Sequence, residues 1–393
     1  MQITVFSYII FYHTVSSLRL DKVIILSRHN ARTPFLSKNL EKITPYEWPK
    51  WEEQPGFLTK KGFLLEEYMG KYFYTWLNKE GVLPKGCPNE NDFYVYSSYT
   101  QRTMYSASAF INKGFPNCNI TIYHADESKP EPILSNFIHN SSIAFRNIAI
   151  SEMKNVLDHL NLNFSYHSME DILNYRNSEF CKVYNKCDMS QDVNELKIVV
   201  KKKPEFSGPL KICNEAVDAF LMAYYNGFDL TNVAWGKLNT IEQWNSILEL
   251  NKEYHNVKYN TSYVAQDLSR PLIDYIKKIF LVEHKKVTLI MGHDTNINTL
   301  LNAMYFKPFS LFDSFVSTPI GGKIVFQKWF DKTKDTHLLK INYIYQSNEQ
   351  LRDGLVLSLN EPPKIALLEL KNCTTDNEGF CLWDDFVSFL NDL

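Results

Sequence analysis

Two arginines and a histidine stand close together in one short loop near the start of the chain: Arg28, His29 and Arg32. Each guanidinium can donate two parallel hydrogen bonds to an oxyanion, and an imidazole can act as a nucleophile. Pro34 fixes its own φ and moves Thr33 out of the helical region, so the segment is a shaped loop. These residue types and their spacing suit a phosphate group, although solvated loop residues would give the same pattern at this point.

Further groups of the same kind follow two other apolar runs of the chain. The run at 93–98 leads into Arg102, which falls in the first turn of a predicted helix. A cation is unfavourable at a helix start, so its presence there hints at function. The run at 287–291 leads into His293 and Asp294. The alternative for this pair is a histidine satisfied in the core beside an aspartate that caps a helix.

The apolar runs before these groups are the elements that must position them. The run at 23–26 is rich in β-branched residues, which is typical of a strand buried on both faces, as in a parallel sheet covered by helices. Open α/β sheets bind their ligands at the carboxyl ends of the strands, so the three groups are expected to meet at one edge. Further strands are predicted at 120–123, 323–326, 337–345, 355–359 and 365–370.

The length of 393 residues and the apolar fraction of 45% allow one large domain or two ordinary ones. The pattern turns helical over residues 135–255. We therefore expect a helical cap, residues 135–255, inserted into an α/β domain made of residues 18–134 and 256–393. The net charge of −2 gives no support to nucleic-acid binding. The basic run at 201–203 is interpreted as a solvated loop.

The first residues of the chain predict export from the cell. Residues 1–17 contain an apolar stretch closed by small residues, the pattern of a signal peptide cut before Leu18. No later apolar run is long enough to span a bilayer, so no membrane anchor is expected. We expect an extracellular protein, with the lysosomal lumen as a lesser alternative. Glycosylation sequons support this route and stand at Asn119, Asn140, Asn163, Asn260 and Asn372.

The chain contains seven cysteines, which are disulfide candidates in an oxidising compartment. Their odd number leaves one thiol unpaired or intermolecular, and the sequence leaves the pairing open. None of them has the paired C-x₂-C spacing of a structural zinc site, so no metal is expected there. The cysteines are Cys87, Cys118, Cys181, Cys187, Cys213, Cys373 and Cys381.

Taken together, the three loops suit phosphoryl transfer. That reaction needs charge neutralised on the equatorial oxygens and a nucleophile in line with the leaving group. Three guanidiniums and one imidazole can supply the neutralisation without a metal or other cofactor. A second imidazole can attack phosphorus and form a phosphohistidine, while a carboxyl group protonates the leaving oxygen.

The same residues carry a family resemblance. Residues 28–34, RHNARTP, resemble the R-H-G-x-R-x-P signature of the histidine acid phosphatases, and residues 292–295, GHDT, look like the second signature of that family. Residues 57–62, FLTKKG, are similar to its G-x-L-T-x-x-G motif, and residues 97–106 surround Arg102. The resemblance spans nearly the whole mature chain. It looks strongest to secreted animal acid phosphatases, including those of insect venoms and saliva.

The resemblance implies a fold and a set of roles. The fold would be α/β, with a three-layer sheet domain of the phosphoglycerate mutase-like histidine phosphatase type and an inserted helical cap. His29 would be the phosphorylated nucleophile and Asp294 the proton donor, with no metal or cofactor and an acidic pH optimum. The phosphate would be held by Arg28, Arg32, Arg102 and His293. The substrates would be small phosphomonoesters or phosphoproteins, and a homodimer is left open.

One departure from the signature leaves a second class of function open. Asn30 stands where the family has glycine, beside the nucleophile. If the backbone there has a positive φ, asparagine is the next most tolerant residue; if glycine serves close approach to phosphate, Asn30 would slow turnover. The alternative is a secreted binding or effector protein on the same fold. A phytase-like enzyme for inositol phosphates is disfavoured, because the His-Asp pair matches acid phosphatases and extra basic residues are scarce.

Overall fold

The structure is a computed structural model that describes residues 17–393, without the side chains of residues 38 and 39. The predicted signal peptide, residues 1–17, therefore lies outside the described residues except for its last position. The first strand begins at Leu18, the expected first residue of the mature chain.

The chain alternates strands and helices at both ends and is mostly helical between them. The strands are β1 Leu18–Arg28, β2 Phe93–Ser97, β3 Ile122–Tyr123, β4 Glu195–Lys197, β5 Glu205–Ser207, β6 Val287–Gly292, β7 Lys323–Asp331, β8 Thr336–Tyr345, β9 Lys364–Leu368 and β10 Cys381–Leu382. The helices are α1 Lys38–Lys42, α2 Lys60–Lys79, α3 Gln101–Gly114, α4 Ile143–Asp158, α5 Asn163–Leu173, α6 Glu179–Tyr184, α7 Pro209–Tyr225, α8 Ile241–Tyr259, α9 Ser262–Leu281, α10 Asp294–Ala303, α11 Asn348–Asp353 and α12 Trp383–Asp392.

The main sheet has eight strands, with β1 and β6 at its centre, in the order β10-β8-β7-β1-β6-β2-β3 and with β9 also paired to β8. β1, β6, β2 and β3 run parallel to one another, whereas β7 pairs antiparallel with β1 and β8 antiparallel with β7. The sheet is thus mixed rather than wholly parallel. The α/β class predicted from the sequence is confirmed.

Helices cover both faces of this sheet, and β1 is buried between them as predicted. Ile24 and Leu26 face the layer formed by α9, α10 and α12, and Val23 and Ile25 face the layer formed by α2 and α3. All four side chains are fully buried. Period-2 alternation therefore sends successive apolar residues into two different cores, which is why this strand has no polar face.

A third core lies among the helices between β3 and β6. It contains the buried faces of α4, α5, α7 and α8, with a small hairpin of β4 and β5 beside them. This is the segment for which a cap was expected. The proposed boundaries at residues 135 and 255 stay a prediction.

One predicted strand was wrong. Residues 355–359 form no strand, and Leu355 and Val356 are exposed. Both edges of β8 are occupied, by β7 on one side and by β9 and β10 on the other, so this apolar run cannot pair with β8. The predicted strand at 365–370 corresponds to β9, which ends at Leu368.

The cysteines pair with near neighbours in sequence and leave one thiol unpaired, as the odd number required. The disulfides are Cys87–Cys118, Cys181–Cys187 and Cys373–Cys381, and the free cysteine is the buried Cys213. Among the described residues, no helix is long and apolar enough to cross a membrane.

Candidate active site

The carboxyl ends of β1, β6 and β2 lie side by side at one edge of the sheet. Arg28 at the end of β1 is in register with Gly292 at the end of β6, and the His29 backbone N–H donates to the Gly292 carbonyl over 3.0 Å. The Ser98 backbone N–H, just after β2, donates to the Met291 carbonyl over 3.0 Å. The three loops singled out in the sequence are therefore brought together by the sheet itself.

His29 is held as a neutral imidazole with one free nitrogen. Its Nδ1 lies 2.9 Å from the backbone oxygen of Asn30. A carbonyl can only accept, so Nδ1 carries the proton and Nε2 keeps its lone pair. Burial and the nearby charges of Arg102 and Arg28 hold the pKa of His29 well below its usual range. The imidazole therefore stays unprotonated, and able to attack, in mildly acidic solution.

Two of the arginines have buried donors without an acceptor. The Nε atoms of Arg28 and Arg102 are buried and make no hydrogen bond to any described residue. Burial and the proximity of Arg32 lower the pKa of Arg102 to about 10. A buried donor without a partner costs roughly 1–3 kcal/mol. An anionic ligand would accept hydrogen bonds from these unused N–H groups and balance the excess positive charge of the three arginines.

His293 complements this cluster. Its Nδ1 accepts from Nη2 of Arg102 over 3.2 Å, since a guanidinium can only donate. That leaves the proton on Nε2, which lies 3.4 Å from Oγ of Ser98. The ring is 5.6 Å from the ring of His29, centroid to centroid. Burial and the charge of Arg102 hold the pKa of His293 well below its usual range, so it acts as a neutral donor.

Asp294 is the first residue of α10 and forms an ion pair with Arg28, with Oδ2 3.0 Å from Nη2. Its Oδ1 accepts from the Thr295 backbone N–H over 2.7 Å. Burial favours the neutral acid, but nearby positive charge, first that of Arg28, outweighs it and holds the pKa of Asp294 well below its usual range. The carboxyl group is therefore ionised while the site contains no anion.

Arg32 reaches across to α7 and meets a carboxylate that sequence reasoning missed. Its Nη1 and Nη2 donate to Oδ2 and Oδ1 of Asp218, each over 3.0 Å. Its guanidinium also lies 4.7 Å from the ring centroid of Phe35. The fork geometry that Arg32 shows toward Asp218 is the geometry that would serve two phosphate oxygens. Asp218 thus stands where a substrate phosphate would compete for Arg32.

The loop that contains His29 is held in place by the motif at residues 57–62. The backbone N–H of Thr59 donates to the Ala31 carbonyl over 3.0 Å, and the Thr59 side chain caps α2. A Cβ placed on Gly62 would lie 2.1 Å from the Ala31 carbonyl oxygen. The glycine of the L-T-x-x-G motif is therefore required by close backbone contact with the loop that holds His29.

The side chain of Asn30 does not face the group of Arg28, His29, Arg32, Arg102 and His293, which we call the phosphate cluster. Its side-chain amide donates to Oε2 of Glu66 over 2.9 Å, and the other Glu66 oxygen lies 2.6 Å from Nζ of Lys323. Lys323 donates further to Oγ of Ser27 over 2.8 Å. Asn30 is absent from the residues with positive φ. The sequence raised two expectations for this position, and the structure shows neither of them. The backbone of Asn30 is not left-handed, and its side chain does not obstruct the phosphate cluster.

A cavity of about 330 Å³ opens beside Arg28, Arg32 and Asp294. Its far wall comes from α7 and α8 and is uncharged or acidic, with Asn214, Glu215, Asp218, Asn251 and His255 among its residues. The sequence analysis missed all of these residues. On α8 the one available signal was spacing, because Asn251, His255 and Tyr259 recur every fourth residue and so share a helix face.

The basic run at 201–203 is exposed at all three lysines, as expected of a solvated loop. Partial desolvation and the charge of Arg102 still lower the pKa of Lys203, so this lysine lies within electrostatic reach of the cluster. It borders a second cavity together with further lysines, which are Lys154, Lys197, Lys211 and Lys258.

The sequons lie mostly at the surface. Asn119, Asn140, Asn163 and Asn372 are exposed, whereas Asn260 is half-buried at the end of α8. Glycosylation at these positions stays a prediction.

Residues 19–344 match the family model described as the histidine phosphatase superfamily, branch 2. The chain belongs to this family, and it is therefore a histidine-phosphatase-type phosphomonoesterase by descent.

Its relatives narrow the comparison. The chain is 40% identical over 375 residues to a glucose-1-phosphatase of Providencia rettgeri, covering 93% of this chain and 90% of the relative. It is 28% identical over 411 residues to phytase AppA of Escherichia coli (strain K12), covering 97% and 94%. The solved structure of the Citrobacter braakii phytase superposes with a TM-score of 0.87 at 26% identity, covering 95% of this chain and 97% of that one.

These relatives correct one part of the sequence analysis. The histidine acid phosphatase family is confirmed, but the relatives are bacterial glucose-1-phosphatases and phytases rather than acid phosphatases of animal venoms or saliva.

Proposed function

We propose that the protein hydrolyses phosphate monoesters through a phosphohistidine on His29, with Asp294 as the proton donor and Arg28, Arg32, Arg102 and His293 as the phosphate-binding residues. The observation that carries this proposal is the free Nε2 of a neutral, buried His29 beside guanidinium donors that have no acceptor.

The substrate phosphate would take the unused donors of Arg28 and Arg102 and replace Asp218 on Arg32. Nε2 of His29 then forms a bond to phosphorus while the bond to the leaving oxygen breaks. The leaving oxygen takes the proton of Asp294. A water then attacks the phosphohistidine, gives one proton back to Asp294 and releases phosphate and the neutral imidazole.

The proton that Asp294 donates has to arrive with the substrate, because this carboxyl group is ionised in the free site. A phosphate ester has a second pKa of about 6, so below that pH it binds as a monoanion that carries a proton. Charge on the bound phosphate also draws Arg28 away from Asp294 and raises the pKa of that carboxyl. We therefore propose an acidic pH optimum. Because the pKa of His29 is lowered, the nucleophile stays unprotonated, and activity is retained, as the pH decreases below about 6.

A sugar monophosphate is the substrate that the cavity fits best. Besides apolar and aromatic side chains, the cavity carries amide, carboxylate and imidazole groups that can pair with hydroxyls, and its carboxylates would repel additional phosphates. Glucose 1-phosphate has such a hydroxyl-rich leaving group, and the name of the 40% identical relative agrees with this choice.

Inositol polyphosphate is the second candidate, and the second cavity favours it. Five lysines border that cavity, among them Lys203 and Lys258. Burial and the charge of Lys203 lower the pKa of Lys258 to about 8, which an added anion would reverse. From the sequence we disfavoured a phytase-like enzyme partly for lack of basic residues, and this group of lysines answers that part of the objection.

A binding or effector role without catalysis has less support. It was raised by Asn30, whose side chain turns toward Glu66 and away from the phosphate cluster. We also propose export by a signal peptide at residues 1–17.

The test is a comparison of substrates at pH 5 with excess chelator. Glucose 1-phosphate, inositol hexakisphosphate and phenyl phosphate are supplied to the native protein and to His29→Ala, with the exposed His284→Ala as the matched control. We expect chelator-resistant turnover, highest on glucose 1-phosphate, that is lost only in His29→Ala. A preference for inositol hexakisphosphate would select the second candidate. No turnover by the folded native protein would refute both.

A further inference from the structure

His255 is a titratable group of the cavity wall that the mechanism above leaves without a task. Its Nδ1 atom is buried and has no hydrogen-bond partner within the described residues. The other members of its helix face are engaged: Asn251 donates to Oδ1 of Asn214 over 2.7 Å, and Tyr259 interacts with Thr295. A buried nitrogen left unpaired costs roughly 1–3 kcal/mol, so it indicates a missing partner.

The position of His255 decides which part of a substrate it would meet. It borders the same cavity as Arg28, Arg32 and Asp294. The ring of its neighbour Tyr259 lies 5.9 Å away, and Tyr259 interacts with Thr295, the residue after Asp294, so His255 lies near Asp294. The phosphate is already served by three arginines and His293, whereas Asp294 has to face the leaving oxygen. A side chain next to Asp294 on the cap side therefore faces the leaving group.

Its surroundings fix the ring and favour a neutral partner. The rings of Tyr254 and Tyr259 lie 5.5 Å and 5.9 Å from the ring of His255, so the imidazole is held between two aromatic neighbours. Burial lowers the pKa of His255, although the charge of Asp294 opposes this. A neutral imidazole nitrogen in such a place pairs with a hydroxyl, which can either donate or accept.

We propose that His255 is a specificity-determining residue whose Nδ1 hydrogen-bonds a hydroxyl of the leaving group, selecting polyol phosphates such as hexose phosphates over esters without hydroxyls. This inference rests on the proposed phosphomonoesterase function and adds to it a residue from the cap that reads the alcohol.

The experiment compares glucose 1-phosphate with phenyl phosphate in the native protein, in His255→Phe and in the exposed control His284→Phe. When a site is built to hydrogen-bond a substrate hydroxyl, removing one partner of that hydrogen bond strongly lowers kcat/KM. We expect His255→Phe to lose about 10- to 100-fold in kcat/KM on glucose 1-phosphate and less than about threefold on phenyl phosphate, the range that one buried hydrogen bond provides. Inhibition by inorganic phosphate should be unchanged.

The monodeoxy analogues of glucose 1-phosphate test the same point on the native protein, so that a poorly folding variant cannot leave the inference undecided. One analogue should lose about tenfold or more of its kcat/KM in the native protein, and that loss should disappear in His255→Phe or, if that chain fails to fold, in His255→Leu. Equal losses on both esters, or a deoxy series without any effect, would overturn the role of His255. Absence of native activity on every ester would instead refute the proposed function.

Discussion

The buried ion pair beneath the nucleophile loop gives the sharpest prediction about this fold. Lys323 and Glu66 are both fully buried, 2.6 Å apart, and Glu66 also binds the amide of Asn30. We predict that Glu66→Leu strongly destabilises the protein, because it leaves the ammonium group of Lys323 in the core without a carboxylate. Burial already lowers the pKa of Lys323 despite the presence of Glu66, which shows how poorly this site solvates a charge.

The size of the effect follows from the burial of the pair. Removing one partner of a buried pair costs about 3–5 kcal/mol, whereas replacing both by apolar residues is often neutral. With about 2.1 cal/mol/K of unfolding entropy per residue, the 393 residues give about 0.8 kcal/mol/K. Glu66→Leu should therefore lower Tm by about 4–6 °C, and the double variant Glu66→Leu/Lys323→Met should recover at least half of that loss.

Calorimetry at pH 7 measures these Tm shifts. The kcat of the same variants reports how well the loop that contains His29 is positioned. The double variant still lacks the acceptor for Asn30, so we expect its kcat to stay below that of the native protein even where Tm recovers. A single variant with unchanged Tm, or a double variant less stable than Glu66→Leu alone, would refute the reasoning that the pair is a buried charge held by its partner.

Three further predictions follow from the site. Gly62→Ala should lose about 1–3 kcal/mol of stability and most of its activity, because the new methyl group meets the Ala31 carbonyl; chemical denaturation and a phosphatase assay check both. Asp218→Asn should bind inorganic phosphate about two- to fivefold more tightly, because a partly exposed ion pair of under about 1 kcal/mol no longer competes for Arg32; a weaker competitive Ki would contradict this. Folding lowers the pKa values of His29 and His293, so below about pH 6.5 the unfolded chain binds more protons than the folded chain. The free energy of unfolding should therefore decrease as the pH decreases, by up to about 1.4 kcal/mol per pH unit for each histidine. His29→Ala should flatten that dependence in pH-dependent unfolding.

Much of the phosphate cluster could be predicted because it is encoded locally. Each of its groups follows directly after a buried strand, and parallel strands bring their carboxyl ends to one edge of the sheet. The roles of Asp218 and His255 could not be predicted in this way. They come from helices far along the chain, and only packing of those helices over the sheet places them in the cavity.

The strand expected at 355–359 failed for a related reason. Its apolar pattern is genuine, but pairing depends on a free strand edge, which the local sequence does not reveal. The role of Asn30 was equally hidden, because its partner Glu66 lies on α2.

The central claim is that phosphorus becomes bonded to His29. Its most direct test is rapid mixing of phosphate-labelled glucose 1-phosphate with Asp294→Asn, followed by quenching in alkali and peptide mass analysis. Phenyl phosphate, labelled in the same way, serves as the parallel substrate. Its phenolate is the better leaving group, so loss of the proton donor should hinder attack on it least. The account predicts acid-labile, alkali-stable label on the peptide that contains His29 and none in His29→Ala. Label on another residue, or turnover without any labelled protein, would contradict it.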